Sequence, residues 1–132
     1  MKKITFCILI LSLVFFIACH KDSGPIIMAP PPVQIQPISY SGEIQSIFDA
    51  YCVSCHDDAH FALNLQPCCS WDQLWSGGLN APYVNTLNPA LSSLHMRVIG
   101  TELPAMPPGG PELLQSEKDK IYRWIEEGAL NN

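Results

Sequence analysis

The chain has 132 residues and a formal net charge of −5, with twelve Asp and Glu against seven Lys and Arg. This length leaves room for a single domain, and a hydrophobic content of 48% is sufficient to form one core. The acidic balance argues against a nucleic-acid partner, because Lys and Arg dominate binding to the phosphate backbone. It favours protein partners that present a positively charged docking face.

The start of the chain has the composition of a bacterial export signal. Two lysines precede an apolar run over residues 4–17, which is too short for a comfortable transmembrane helix. Residues 16–19 read Phe-Ile-Ala-Cys and resemble a lipobox, in which the signal is cleaved before a cysteine that then receives lipid. We therefore expect residues 1–18 to be removed and Cys19 to anchor the protein. The alternative is an ordinary signal with a coincidental cysteine.

The predicted anchor sets the expected location and organisation of the mature protein. We expect the cell envelope, with the protein lipid-anchored on the periplasmic side or outer surface of a bacterial membrane. Cleavage removes two lysines and no acid, so the formal charge of −5 becomes −7. Residues 19–37 contain five prolines and no helical spacing, which predicts an extended tether that leads into a folded domain over residues 38–132.

The domain is predicted to be all-α, with about four helices and no strand. The first helix runs from Ser41 or Gly42 to about Tyr51, because apolar side chains recur on one face at helical spacing. The last begins at Ser116, with acidic residues in its first turn, and ends at Gly128.

Two shorter helices are predicted between these. One begins at Ser70, where Gln73 completes a capping box, and ends at a pair of glycines. The other runs from a cap at Asn88 to Gly100 and is expected to bury three apolar residues, Leu91, Leu94 and Val98. Residues 103–111 contain four prolines and are predicted to form a loop.

Residues 52–56 read Cys-Val-Ser-Cys-His and follow the first predicted helix directly. Two thiols one helical turn apart can bond to the two vinyl groups of one haem, and the adjacent histidine then lies under the iron. We therefore expect one covalent haem c, held by Cys52 and Cys55 and ligated by His56. A thioredoxin-like redox pair is disfavoured because no strand precedes the motif, and a zinc site because no second ligand pair has matching spacing.

Met106 is the preferred candidate for the second axial ligand of the iron. It lies 50 residues after His56 in the proline-rich loop, where restricted φ lowers the entropy lost in holding a thioether at the metal. Methionine ligation raises the reduction potential relative to two histidines. The remaining candidates lie in the tether, close to the first ligand or in the third helix: Met28, His60, His95 and Met96.

Several motifs together resemble the planctomycete-type cytochrome c domain over about residues 40–130. They are residues 52–56, Leu63-Asn64-Leu65, Asn88-Pro89, Ser92-Ser93-Leu94, Arg97-Val98, Met106-Pro107-Pro108 and residues 124–129. The resemblance implies a class I cytochrome c-like fold around one haem, with His56 as proximal and Met106 as distal ligand. It also implies that the first and last helices cross, and we expect Phe48 and Trp124 to make that contact.

The predicted function is one-electron transfer without catalysis, in which the protein sets the potential and the docking. Arg97 is a candidate to pair with a haem propionate, the alternative being a solvated arginine on a helix face. An apolar crevice that would raise the potential is expected to comprise Leu63, Leu65, Trp71, Trp75 and Leu94.

Two other functions and one cysteine pair stay open from the sequence. A gas sensor or small peroxidase-like enzyme would have an open sixth iron position, with His60 or His95 as a distal polar group. A haem-free interaction module would carry a disulfide within residues 52–56. Cys68 and Cys69 are adjacent, and a disulfide between them, a dimer link or two buried thiols are all compatible with an oxidising compartment.

Overall fold

The structure is a computed structural model that describes residues 36–132. The predicted signal over residues 1–18, the lipidation site Cys19 and nearly all of the predicted tether lie outside the described residues. The described part contains helices and no strand, which confirms the all-α prediction for this region. None of the helices within it is long and apolar enough to cross a membrane.

Helix α1 has two consecutive parts, a π-helical turn, Tyr40–Ile44, and an α-helix, Gln45–Tyr51. It starts within one or two residues of the predicted position. The hydroxyl of Ser39 caps it by accepting a hydrogen bond from the N–H of Gly42 at 3.1 Å. The apolar face is buried, as its spacing predicts, and comprises Ile44, Ile47 and Phe48.

Helix α2 consists of a short α-helical turn, Ser70–Asp72, and a π-helical turn, Gln73–Gly77. The predicted capping box at its start is wrong, because the Ser70 hydroxyl is engaged elsewhere. It accepts a hydrogen bond from the Tyr40 hydroxyl at 2.6 Å and donates one to Gln45 Oε1, also at 2.6 Å. These buried hydrogen bonds to α1 satisfy the oxygen that the local pattern assigns to the cap.

The third predicted helix is interrupted at Ser92. A 3₁₀ turn, Pro89–Leu91, precedes this residue, and helix α3, Ser93–Val98, follows it. The backbone of Ser92 is extended, with ψ of 126°, and its buried hydroxyl accepts a hydrogen bond from the N–H of Asn85 at 2.8 Å. This hydrogen bond fixes Ser92 in place and divides the segment into two short elements.

The interruption changes which side chains of this segment are buried. Leu94 and Val98 lie in the core, as predicted, whereas Leu91 is 59% exposed, so its predicted burial is wrong. Asn88 and Pro89 occupy the predicted cap and first positions, but the Asn88 side chain makes no capping hydrogen bond. The buried leucine and valine therefore both belong to helix α3, and the leucine of the preceding 3₁₀ turn stays at the surface.

Helix α4, Gln115–Glu126, is the longest described helix and starts one residue before the predicted position. Its first turn is closed by Glu117, whose Oε2 accepts a hydrogen bond from the N–H of Leu114 at 2.7 Å. Ser116, the predicted cap, lies inside the helix instead. Gly128 follows the helix with φ of +102°, a conformation that favours glycine, which agrees with the predicted end.

The first and last helices pack together through an aromatic group. The ring of Tyr40 lies 5.2 Å from that of Trp124 and 6.4 Å from that of Phe48, measured between ring centroids. All three side chains are buried. The two residues predicted for the helix crossing therefore both belong to this group, and Tyr40 joins them.

The two ends of the described segment are hydrogen-bonded to each other. The N–H of Ile38 donates to Glu127 Oε2 at 2.7 Å, and the N–H of Tyr40 donates to Asn132 Oδ1 at 2.8 Å. These contacts hold the residues that enter α1 against those that leave α4. The last residue of α1 then leads directly into the cysteine motif.

Candidate functional site

The Cys-Val-Ser-Cys-His motif forms a tight turn at the end of α1. The N–H of Cys52 still donates to the Phe48 carbonyl at 2.8 Å, as in a helix. The N–H groups of Cys55 and His56 then both donate to the Cys52 carbonyl, at 3.0 and 2.9 Å. Because these hydrogen bonds close one turn, the two thiols are presented at helical spacing, with Cys52 half-buried and Cys55 exposed.

Both thiols of this motif are free, whereas Cys68 and Cys69 are joined by a disulfide. Burial raises the pKa of the Cys52 thiol to about 11, and the neighbouring Cys55 acts in the same direction. The sequence left three arrangements open for Cys68 and Cys69, and the structure contains the disulfide between them. A disulfide within the motif, which the interaction-module alternative requires, is not present in this structure.

The imidazole of His56 is oriented by the backbone of the following loop. Its Nδ1 lies 3.1 Å from the Leu63 carbonyl oxygen, which assigns the proton to Nδ1 and leaves the lone pair on Nε2. Burial lowers the pKa of His56, with the nearby His60 acting in the same direction and the Leu63 carbonyl opposing both. The ring is therefore neutral near pH 7, the state in which histidine binds a metal.

A cleft of about 270 Å³ lies against the motif and brings the predicted site residues together. Cys52, Cys55, His56, Met106 and Arg97 all line it. The rest of the lining is mostly apolar and aromatic and comprises Tyr51, His60, Phe61, Ala62, Leu63, Leu65, Asn80, Tyr83, Leu94, Val98, Pro104, Pro107 and Pro108.

Met106 reaches this cleft from the proline-rich loop that follows α3. Its N–H donates to the Arg97 carbonyl at 3.0 Å, which ties the backbone of the loop to the end of the helix. The methionine side chain is partly buried, and Pro107 beside it also lines the cleft. The loop therefore delivers one thioether to the same space as His56, although the two residues are far apart in the sequence.

The other residues weighed as iron ligands or as distal groups are placed differently. His60 lines the cleft, but its ring packs against that of His56 with centroids 4.3 Å apart, and its Nδ1 accepts hydrogen bonds from two loop amides. His95 and Met96 do not line the cleft. The His95 ring instead packs edge-on against Tyr122, with centroids 5.0 Å apart.

The predicted apolar crevice is only partly correct. Leu63, Leu65 and Leu94 line the cleft, whereas Trp71 and Trp75 do not. The two tryptophans pack near each other, with ring centroids 6.0 Å apart, and Trp71 Nε1 donates to the Ala129 carbonyl at 2.8 Å. Trp71 is therefore held against the end of the chain.

The aromatic walls of the cleft were missed by sequence reasoning. Tyr51 carried a usable signal, since it is the last apolar position on the α1 face and precedes the motif. Phe61 and Tyr83 lie in irregular segments without periodicity, so no local pattern predicts that they line the cleft.

The donor set in the cleft fits a covalently attached haem. The site offers two free thiols, a neutral histidine with an available Nε2 and a thioether, and apolar walls surround them. These are the groups that c-type attachment and axial ligation require. Among residues 36–132 no three His, Cys, Asp or Glu side chains come together as a metal-binding group, which is what a zinc site would need.

Comparison with family models, with curated proteins and with solved structures finds no match for this chain. The family resemblance therefore remains a prediction, and the function rests on the cleft and its residues.

Proposed function

We propose that the protein is a mono-haem c-type cytochrome that carries single electrons. The observation that carries this proposal is the convergence of Cys52, Cys55, His56 and Met106 on one apolar cleft. In this proposal the two cysteines would hold the haem through thioether bonds, and the histidine and methionine would ligate its iron. The haem, when bound, supplies reversible one-electron exchange at its iron.

The residues around the ligands have defined roles in this function. The Leu63 carbonyl accepts a hydrogen bond from the His56 Nδ1–H, which fixes the ring orientation and increases the basicity of Nε2. The Met106 thioether would favour the reduced iron, and the leucines and aromatic rings of the cleft would exclude water, which would act in the same direction. Neither role requires a general base or a nucleophile, so the proposed function is electron transfer and not catalysis.

The fold and the cellular context are part of the same proposal. Contact between α1 and α4, with the cysteine motif directly after α1, supports a cytochrome c-like arrangement of the helices. The acidic surface favours redox partner proteins with a positive docking face. We place the protein in the cell envelope, held at a bacterial membrane through lipidated Cys19, because haem attachment in bacteria occurs outside the cytoplasm.

The sensor or enzyme alternative receives less support from the geometry. It needs a polar group on the side of the site away from His56, and the two histidines that were candidates do not provide one. His60 packs against His56 itself, and His95 does not line the cleft.

Haem attachment tests the proposal directly. We expect the full chain, co-expressed with a haem-attachment system, to carry one haem that stays bound on a denaturing gel. The double variant Cys52→Ser/Cys55→Ser should lose it. The matched double variant Cys68→Ser/Cys69→Ser should keep it, because that pair lies outside the cleft. Absence of bound haem from the parent protein would refute the proposal.

Absorption spectra of the loaded protein then distinguish a carrier from a sensor. A weak band at the red end of the ferric spectrum is the signature of thioether ligation. We expect this band in the parent protein, and we expect carbon monoxide to leave the ferrous spectrum unchanged. A rapid shift with carbon monoxide would instead indicate an open sixth position.

A further inference from the structure

The guanidinium of Arg97 is the centre of a hydrogen-bonded group at the end of α3. Its Nη2 forms an ion pair with Glu102 Oε1 at 2.7 Å, and its Nε donates to Ser93 Oγ at 3.3 Å. The Ser93 hydroxyl in turn donates to Glu102 Oε1 at 2.9 Å. We call Ser93, Arg97 and Glu102 the Arg97 network.

The Arg97 network is connected to the loop that carries Met106. Arg97 Nη1 donates to the Pro104 carbonyl at 3.3 Å, and the Arg97 carbonyl accepts from the Met106 N–H at 3.0 Å. Glu102 itself belongs to this loop. Arg97 therefore contacts three groups of the loop, which are the Glu102 side chain, the Pro104 carbonyl and the Met106 amide.

The backbone at the start of the loop is also tied to α3. The N–H groups of Thr101 and Glu102 both donate to the Met96 carbonyl, at 2.8 and 3.2 Å. The Thr101 hydroxyl donates to the same carbonyl at 3.2 Å. The loop is thus fixed to the helix before Met106 as well as at Met106, and the Arg97 side chain spans the interval between.

The guanidinium already has an anionic partner within the protein. Its three nitrogens each make one hydrogen bond, to Ser93, to the Pro104 carbonyl and to Glu102, so three of its five N–H groups are engaged. The Arg97 and Glu102 side chains are only 26% and 29% exposed, so loss of either would leave the other charge poorly solvated. This geometry favours a role in holding the loop over the role in pairing with a propionate that the sequence suggested.

We propose that the Arg97 network is a positioning device that holds the Met106 thioether in the cleft. This inference rests on the proposed function, in which Met106 is an axial ligand. Arg97 acts on the ligand through the loop, and Glu102 is its required partner. The involvement of Glu102 separates this role from propionate pairing, in which removing the carboxylate would free the guanidinium for the propionate and leave Met106 unaffected.

The test compares Arg97→Gln and Glu102→Gln with Arg123→Gln. Arg123 forms an ion pair of similar geometry with Glu127, at 2.8 Å, but lies on α4 and does not line the cleft. The readout is the pH at which the ferric protein loses its red-end band as the thioether leaves. Each network variant should lower this pH by about one unit, since a lost charged hydrogen bond is comparable to one unit of pKa.

Carbon monoxide binding gives a second readout on the same variants. We expect carbon monoxide, which leaves the ferrous spectrum of the parent unchanged, to shift that spectrum in Arg97→Gln and in Glu102→Gln, because the thioether leaves more often. Arg97→Lys keeps the charge but lacks the planar set of donors. Carbon monoxide binding in this variant should therefore be intermediate between the parent and Arg97→Gln. If Arg97→Gln fails to fold, as judged by circular dichroism, Glu102→Gln alone decides the question.

The outcomes separate this inference from the proposed function. A parent protein without the red-end band would overturn Met106 ligation itself. A parent with the band, together with network variants that lose it at the parent pH, would overturn the positioning role alone. A shift of the pH of band loss in Arg97→Gln without a shift in Glu102→Gln would support pairing with a propionate. That result would also overturn the positioning role.

Discussion

Met106 and Met96 are ten residues apart, yet only Met106 lines the cleft. We expect Met106→Ala to remove the red-end ferric band and to allow carbon monoxide to bind. It should also lower the reduction potential by on the order of 0.1 V, within the span of about 0.8 V that axial ligands cover. The physical reason is that a soft thioether stabilises the reduced iron. Visible spectroscopy and a redox titration measure both effects.

Met96→Ala is the matched control for this substitution, since it removes the same side chain from α3 without touching the cleft. It should leave the band and the potential unchanged. If Met106→Ala behaves like Met96→Ala, Met106 is not a ligand, and the role assigned to its loop is lost with it.

Tyr40 makes the stability of the core depend on pH in the alkaline range, whether or not haem is bound. Burial raises the pKa of its hydroxyl from 10.0 to about 12, partly opposed by the hydrogen bond to Ser70. A phenol with a raised pKa ionises more readily in the unfolded chain, so the stability it contributes is present below pH 10 and declines as the pH rises towards 12. Tyr40→Phe should remove this part of the decline.

The same variant should lose about 1 kcal/mol of stability at neutral pH, because Ser70 loses a buried hydrogen-bond partner. Guanidinium unfolding at a series of pH values measures both effects. Tyr122→Phe is a suitable control, since that residue is only partly buried on α4. Parallel declines for the parent and Tyr40→Phe between pH 10 and 12 would contradict the assignment.

At the scale of elements, Ser116 and Glu117 are alternative capping residues for the start of α4. The sequence assigns the cap to Ser116, whereas the structure closes the first turn through Glu117 and the N–H of Leu114. We expect Glu117→Ala to cost roughly 0.5 to 1 kcal/mol of stability and Ser116→Ala to cost almost nothing. Unfolding curves of the two variants decide between them, and a larger loss for Ser116→Ala would restore the predicted cap.

The success of sequence reasoning differs among the elements for a physical reason. Helix α1 was predicted closely because its apolar spacing is itself the cause of its burial. The start of α2 and the break before α3 were missed because buried serines form hydrogen bonds that no local pattern encodes. Ser70 binds Gln45, 25 residues away in the chain, and the Ser92 hydroxyl fixes the loop amide of Asn85.

The candidate site was predictable to a similar extent. The spacing of residues 52–56 predicts haem attachment, and the prolines around Met106 predict a thioether held in place. Both were therefore predicted to be in the site. The aromatic walls and the pairing of Arg97 with Glu102 depend on which segments the fold brings together. Periodicity along the chain therefore gave no indication of them.

At the scale of the whole molecule, residues 36–132 carry four Lys and Arg against eleven Asp and Glu, a net charge of −7. Two of the acids, Asp57 and Asp58, directly follow His56 in the sequence. This charge should attract cationic redox reagents and repel anionic ones. We expect oxidation of the reduced protein by a cationic ruthenium complex to slow by roughly tenfold between about 0.01 and 0.5 M salt, because added ions screen the attraction.

The location of the charge can be separated from its total amount. Asp58→Asn and Glu126→Gln each remove one exposed negative charge, the first next to the cysteine motif and the second at the end of α4. If electrons leave through the cleft, Asp58→Asn should weaken the salt dependence more than Glu126→Gln does. Stopped-flow rates with the cationic complex, and with an anionic iron complex that should show the opposite trend, measure this difference. Equal effects of the two substitutions would mean that the reagents respond to net charge alone and that the region around residues 52–58 does not guide them.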